Sequence, residues 1–106
     1  MAKYVFEGKT IEVDLYGTVY DVTLTREKYE NNRTAIVGTL PDGEGFAVLS
    51  CNIPDVKLNE NEVIIKNWSE NEELAIAAGR SGFFIPTGNY IATWFVKAPV
   101  WIMKEV

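Results

Sequence analysis

Strict alternation of apolar and polar residues near the N-terminus is the feature that most limits the fold. In IEVDL (residues 11–15), Ile, Val and Leu alternate with Glu and Asp, and VYDVTLT (residues 19–25) continues the alternation. Because successive side chains of a strand point to opposite faces, this pattern predicts strands with one buried face and one solvent face, as in antiparallel sheets. The preceding segment KYVFEG predicts a further strand that ends at Gly8.

Turn-forming residues divide the rest of the chain into short strands. Pro41, Asp42 and Gly43 predict a tight hairpin between RTAIVGTL and GFAVLSCNI. The segment IPDVKLNENE has too little apolar content to be buried and predicts a loop, after which EVIIKN resumes as a short strand. YIATWFVKAP and VWIMKEV predict the last two strands. We therefore expect about six to eight strands in all.

One helix is expected, in the segment SENEELAIAAG. Ser69 and Glu72 have the S-x-x-E spacing of a capping box, in which each side chain accepts a hydrogen bond from a free backbone N–H. Gly79 offers a C-terminal stop. The prediction is a single domain over residues 1–106 with an α+β fold, a mostly antiparallel β-sheet with one short α-helix near residues 70–79.

The absence of histidine from all 106 residues excludes most catalytic templates. Ser-His-Asp and Cys-His nucleophile systems need an imidazole, and zinc sites built on imidazole need it too. Glu60 with Glu62, or Glu70 with Glu73, could form a carboxylate pair, but their polar surroundings favour solvated charges. The oxygen ligands of DVKLNENE lack the spacing of a calcium-binding loop. We expect no enzyme activity, no cofactor and no bound metal.

Charge and cysteine content indicate what the chain binds and where it acts. Ten basic and fifteen acidic residues give a formal charge of −5, which disfavours direct binding to nucleic acid or anionic lipid and favours a basic protein surface. Cys51 is the one cysteine, so no internal disulfide forms, and we interpret it as a buried thiol in a reducing compartment. With no stretch that predicts a signal peptide or a membrane span, the expected location is the cytoplasm.

The acidic residues of the chain concentrate between Asp55 and Glu73. This segment holds six acidic residues against Lys57 and Lys66. A solvated loop followed by a charged helix start would explain the concentration. However, Trp68 stands in its middle, and tryptophan is enriched at the hot spots of protein interfaces. A recognition surface is therefore the alternative interpretation, and its candidate partner-binding residues are Asp55, Glu60, Glu62, Trp68, Glu70, Glu72 and Glu73.

Three large aromatic residues, Trp94, Phe95 and Trp101, lie in the apolar C-terminal strands. Aromatic side chains on strands usually face the interior, so core packing is the expected role of Trp94 and Trp101. If they are partly exposed instead, the final strands would form a homodimer or partner face.

Three short motifs mark the C-terminal half of the chain: NIPD at Asn52–Asp55, WSENE at Trp68–Glu72 after NEVIIKN, and PTG at Pro86–Gly88. In these motifs the chain resembles a family of small proteins of unknown biochemical function encoded by phages, plasmids and integrative elements of Firmicutes and gut bacteria. Residues 93–96 read Thr-Trp-Phe-Val where the family has Thr-Gly-Phe-Val. The resemblance implies a life on mobile DNA, where small acidic proteins often inhibit host immunity, and it supplies no catalytic residues.

The leading hypothesis is an anti-defence protein, an anti-CRISPR that binds an RNA-guided nuclease in the host bacterial cell and blocks its guide RNA or target DNA. Carboxylates between Asp55 and Glu73 would mimic the phosphates of a nucleic acid, with Trp68 as their anchor. The alternative is a non-enzymatic oligomeric accessory or interaction module of a mobile element. An enzyme would require a buried pair of carboxylates in a cleft.

Overall fold

The computed structural model describes residues 3–93 and 96–106. Within them, eight strands form two four-stranded antiparallel sheets, and one α-helix, α1 (Glu72–Arg80), follows a 3₁₀ turn at Ser69–Asn71. The expected α+β fold, mostly antiparallel sheet with one short helix, is confirmed. The strands in chain order are β1 (Thr10–Leu15), β2 (Thr18–Lys28), β3 (Thr34–Thr39), β4 (Gly45–Val48), β5 (Ser50–Cys51), β6 (Glu62–Ile65), β7 (Phe84–Ala92) and β8 (Lys97–Met103).

The first sheet contains β1 to β4 in chain order. Its alternating sequence behaves as predicted, because Ile11 pairs with Val22 and both are buried, whereas Glu12 pairs with Asp21 and both are exposed. Since the side chains of a strand have a period of two, this register sends the apolar residues of β1 to one face and its acidic residues to the other.

The second sheet has the order β5-β6-β8-β7, and the chain enters it at Leu49, between β4 and β5. The N–H of Leu49 donates to the carbonyl of Ile36 in the first sheet at 2.8 Å, and the N–H of Lys66, just after β6, donates to the carbonyl of Leu49 at 2.7 Å. GFAVLSCNI, predicted as one strand, is thus shared between the two sheets. The buried Ser50 hydroxyl supports this passage by accepting a hydrogen bond from the Ile36 N–H at 2.9 Å and bonding to the Tyr29 hydroxyl at 2.8 Å.

The predicted strand before Gly8 is wrong, because this segment forms turns, with a single bridge between Tyr4 and Glu105. The carboxylate of Glu7 accepts a hydrogen bond from the Tyr4 N–H at 2.7 Å, and Gly8 has a φ of 77°, so the chain curls instead of extending. Backbone hydrogen bonds join the segment to β2 and to the residue after β8. The side chains of Tyr4 and Phe6 are only 1% and 0% exposed. The segment therefore connects the two sheets through buried side chains as well as through backbone hydrogen bonds.

The main core lies between the two sheets and beneath α1. Buried residues of both sheets contribute to it, and α1 adds Leu74, Ala75 and Ala78. The helix packs on β1, the edge strand of the first sheet. This packing brings the first turn of α1 beside the hairpin that joins β1 to β2.

A second, smaller cluster lies on the opposite face of the second sheet, around Ile64 and Val100. The loop after β5 is confirmed as a loop, but its expected exclusion from the core is not, because Ile53 and Val56 pack on this face. Arg33 anchors the loop, since its guanidinium donates hydrogen bonds to the carbonyls of Ile53, at 2.8 Å, and of Val56. In the sequence, Asn and Glu residues stand between the apolar residues of this loop. The apolar residues are nevertheless spaced so that they pack on the surface of the sheet.

The helix is confirmed near its predicted position, but the predicted capping box is wrong. Ser69 has a φ of 54° within the 3₁₀ turn, whereas a capping serine needs an extended backbone, and no side-chain hydrogen bond caps the turn or α1. The side chain of Asn71, 2% exposed, donates instead to the carbonyl of Val48 at 2.6 Å. Gly79 lies inside the helix, which ends one residue later at Arg80.

The aromatic residues of the C-terminal strands have different outcomes. Trp94 and Phe95 lie outside the described residues. Trp101 is half-buried and packs against the main core, with its ring centroid 5.5 Å from that of Phe84.

In the described part of the chain, no helix has the length and apolar character that crossing a membrane requires.

Candidate functional site

The acidic residues between Asp55 and Glu73 divide into two groups in the structure. Glu60 and Glu62 line a cleft of about 250 Å³ that Arg26, Lys28 and Arg33 also line, so basic side chains offset their charge. The carboxylate of Glu62 also accepts a hydrogen bond from the backbone N–H of Asn59 at 2.7 Å. Asp55 is exposed on the loop that Arg33 anchors. This first group therefore lies on a surface of mixed charge.

The second group, on the 3₁₀ turn and the first turn of α1, meets further acidic residues from the first sheet. Glu73 lines a groove of about 310 Å³ together with Glu12 and Asp14 of β1. Glu70, Glu72 and Glu73 also line a depression of about 150 Å³ beside the first hairpin. We call this set the acidic surface, and it consists of Glu12, Asp14, Glu70, Glu72 and Glu73.

Most carboxylates of the acidic surface are available to a partner. Among the described residues, the side chains of Glu12, Glu72 and Glu73 form no hydrogen bond or ion pair. Glu70 pairs with Lys66 at 2.8 Å, and this hydrogen bond, helped by the charge of Lys66, lowers the pKa of Glu70 below its ordinary value. Arg80 lines the groove beside Glu73, so the five carboxylates of the surface stand near two basic residues.

Tyr16 projects from the first hairpin into the same region. It is fully exposed, and it lines the depression together with Glu70, Glu72 and Glu73. Its φ of 51° and the φ of 90° at Gly17 are those of a two-residue hairpin turn, a position that favours Asn rather than an aromatic residue. The ring belongs to neither hydrophobic cluster, and such exceptions to local preference are expected at functional sites.

Sequence reasoning did not identify Glu12, Asp14 or Tyr16 as binding candidates. The exposure of Glu12 and Asp14 could be predicted from the sequence, because the alternation of β1 already placed them on the solvent face. Another readable signal was the Tyr16-Gly17 turn, in which an aromatic residue occupies a position that favours Asn. Their proximity to the first turn of α1 was not readable, since it results from packing the helix against β1.

Trp68 lies in a different concavity from the carboxylates that follow it in sequence. It is half-buried, packs on the second hydrophobic cluster, and lines an open groove of about 720 Å³ beside Cys51 and Ile53. Burial raises the pKa of the Cys51 thiol, an effect that the nearby charge of Lys66 partly offsets. This groove and the acidic surface are two separate features, so Trp68 does not stand among the carboxylates of α1.

A further groove, of about 420 Å³, adjoins the acidic surface along α1. Trp101 lines it, and its wall is formed by residues of the helix and by the segment before the 3₁₀ turn. Glu72 lines both this groove and the depression beside Tyr16. The remaining lining residues are Asn67, Ala75, Ile76 and Gly79.

Two arrangements that the sequence left open, a buried acid pair and a metal site, can be compared with the described residues. Ser50 and Asn71 are the buried polar residues, so no carboxylate in residues 3–93 and 96–106 is buried in the manner of a raised-pKa acid pair. In the same residues, no three carboxylate or thiol side chains are grouped to hold a metal ion.

Comparisons with protein-family models, with curated proteins and with solved structures found no match to this chain.

Proposed function

We propose that this protein is a non-enzymatic anti-defence inhibitor that acts in the cytoplasm of a host bacterium. Its acidic surface would occupy the basic groove in which a CRISPR effector, an RNA-guided nuclease, holds its guide RNA or target DNA. The observation that carries this proposal is the convergence of carboxylates from β1, the 3₁₀ turn and α1 on two concavities that share Glu73, one of which the exposed ring of Tyr16 also lines. The resemblance to mobile-element proteins in the NIPD, WSENE and PTG motifs supplies the biological context.

Electrostatics supports a basic protein partner. The whole chain carries a formal charge of −5, and four of the five carboxylates of the acidic surface have no ion-pair partner among the described residues. A groove that binds nucleic acid is lined by Lys and Arg side chains that contact phosphates. Carboxylates can replace phosphates in such contacts, and complementary charge accelerates association and disfavours wrong partners. An exposed tyrosine beside these carboxylates is suited to act as the hot spot of the interface.

One observation favours the alternative of an oligomeric accessory module. Strand β7 is an edge of the second sheet, and its residues Ile85 and Tyr90 are 45% and 60% exposed. Unpaired edges can pair with another chain, although Pro86 limits the length of such pairing. Size-exclusion chromatography with light scattering distinguishes a monomer from a homodimer. A dimer that affects no nuclease would favour the accessory module.

A matched pair of triple variants tests the proposed inhibitor. Glu70→Gln, Glu72→Gln and Glu73→Gln together remove three charges from the acidic surface. Glu27→Gln, Glu30→Gln and Glu44→Gln remove three charges from exposed positions elsewhere, so both variants have the same net charge. Each is added to a panel of purified guide-loaded RNA-guided nucleases, and cleavage of target DNA and binding to the nuclease are measured.

We expect the native chain and the control triple variant to inhibit one of these nucleases, and the variant of Glu70, Glu72 and Glu73 to lose inhibition. Loss of at least about a hundredfold in affinity is expected if the three carboxylates each contribute as charge-pairing contacts. Equal inhibition by both variants would contradict the mimicry mechanism. Absence of binding to every nuclease in the panel would count against the proposed class of partner.

A further inference from the structure

We propose that the groove beside Trp101 binds an arginine side chain of the basic partner. This inference rests on the proposed function, because it assigns one contact within the same interface. The groove runs along α1 and adjoins the acidic surface at Glu72. Its lining brings together an indole, a carboxylate and apolar helix residues, which are the groups that a guanidinium and its methylene stem contact.

Gly79 keeps the indole of Trp101 accessible. A Cβ at this position would lie 3.4 Å from Cη2 and 3.7 Å from Cζ2 of the indole, so a longer side chain would cover the ring. Gly79 is inside α1 and its φ is not positive, so the helix itself does not require glycine there. Glycine in a helix interior is less favourable than alanine. The gain that offsets this disadvantage is an open groove over the ring.

The carboxylate of Glu72 selects a cation for this groove. Among the described residues, its side chain has no hydrogen bond or ion pair, so it is available to a ligand. Ala75 and Ile76 supply apolar surface for the stem of a long basic side chain. Arginine fits better than lysine, because its planar guanidinium stacks on an indole and pairs with a carboxylate through two parallel hydrogen bonds.

The test uses the full chain and three short peptides that differ at one residue. The probes are acetylated and amidated glycine peptides that carry a central arginine, lysine or citrulline. Each peptide is titrated into isotope-labelled protein, and the indole N–H signal of Trp101 is followed by NMR. We expect the arginine peptide to shift this signal, the lysine peptide to bind about fivefold more weakly, and the citrulline peptide to leave it unchanged.

Two variants and a matched control check the site. Gly79→Leu fills the groove and should abolish the shift, while Glu72→Gln should weaken arginine-peptide binding about fivefold. Glu44→Gln removes an equal charge from an exposed position that does not line the groove, and it should change nothing. If Gly79→Leu does not give the spectrum of a folded protein, the effect of Glu72→Gln on arginine-peptide binding tests the site alone. Equal shifts with all three peptides, or unchanged binding by Glu72→Gln, would overturn the arginine site.

The two proposals fail in different ways. Binding of the arginine peptide by a chain that engages no RNA-guided nuclease supports the groove and counts against the proposed function. Inhibition of a nuclease that is as strong with folded Gly79→Leu as with the native chain counts against the groove alone.

Discussion

At the residue scale, Tyr16 combines an unfavourable backbone with complete exposure. Its φ of 51° lies in the left-handed region, which costs about 1–2 kcal/mol for residues other than Gly, Asn and Asp. The ring is fully exposed and contributes nothing to the core. A tyrosine in this setting makes sense as a contact for a partner, because a rigid aromatic group contributes large contact area at low entropic cost.

Replacing Tyr16 with Asn should separate stability from binding. We expect Tyr16→Asn to raise the free energy of unfolding by about 0.5–1 kcal/mol, because Asn tolerates the positive φ of the turn. The same change should weaken binding to an inhibited nuclease by about thirtyfold or more, as expected for a hot spot. Urea denaturation and binding measurements test the two effects. Tyr90→Thr, at another exposed tyrosine, serves as the control and should leave binding unchanged.

Glu70 provides a test of electrostatics at a single residue. The hydrogen bond from Lys66 lowers the pKa of Glu70, so the pair stabilises the fold above the ordinary glutamate pKa of about 4.3, and this contribution is lost as pH falls through the lower folded-state value. NMR titration of the side-chain carboxyl groups should therefore show Glu70 ionising at lower pH in the native chain than in Lys66→Met. Identical titration of Glu70 in both proteins would contradict the assignment.

At the element scale, the start of α1 shows how a local motif can be overridden. The S-x-x-E spacing favours a capping box, but a 3₁₀ turn precedes the helix and Ser69 adopts a positive φ. Asn71 then turns its side chain to the carbonyl of Val48, which joins the helix start to β4. Tertiary attachment of the turn thus replaces the local hydrogen bonds that the sequence favours.

Substitutions of Ser69 distinguish these two arrangements. We expect Ser69→Gly to increase the free energy of unfolding by about 0.5–1 kcal/mol, because glycine adopts a positive φ without strain. Ser69→Ala should change it by less than about 0.5 kcal/mol, since no capping bond is lost. A capping box would make Ser69→Ala destabilising by about 1 kcal/mol. Thermal and urea denaturation of both variants provide the measurement.

At the scale of the whole molecule, the N-terminal segment holds the two sheets together. Phe6 is fully buried, stacks with Tyr4 and Phe84 at centroid distances of 6.1 and 5.5 Å, and belongs to the main core. The neighbouring backbone bonds to β2 of the first sheet and to the end of the second. A residue in this position contributes to the packing of both sheets at once.

Phe6→Ala should therefore destabilise the whole molecule. Truncation of a buried phenylalanine costs about 3–5 kcal/mol, a large share of the about 5–15 kcal/mol that stabilises an ordinary domain. Urea denaturation followed by circular dichroism and tryptophan fluorescence should show one transition at a much lower urea concentration. Val5→Ala, at the adjacent half-buried residue, is the control and should have a smaller effect. A loss below about 1 kcal/mol for Phe6→Ala would contradict the role of the segment.

The sequence by itself determined the features that depend on neighbouring residues. Alternation in β1 and β2 fixed which side chains face the core, Pro41 and Gly43 set a hairpin, and the charged helix formers after Trp68 set one short helix. Each of these follows from the period of a strand, the preferences of turn residues, or the helix dipole. These effects act between residues that are close in the sequence, so they can be predicted without knowing the fold.

Only the tertiary structure decided which residues share a surface. Packing α1 against β1 brought Glu12 and Asp14 next to Glu73, although about sixty residues separate them in the chain. The same folding sent Trp68 to the far face of the second sheet, away from the carboxylates that follow it. Burial of apolar area drives these arrangements, and it depends on how whole sheets and the helix fit together, so no local pattern encodes it.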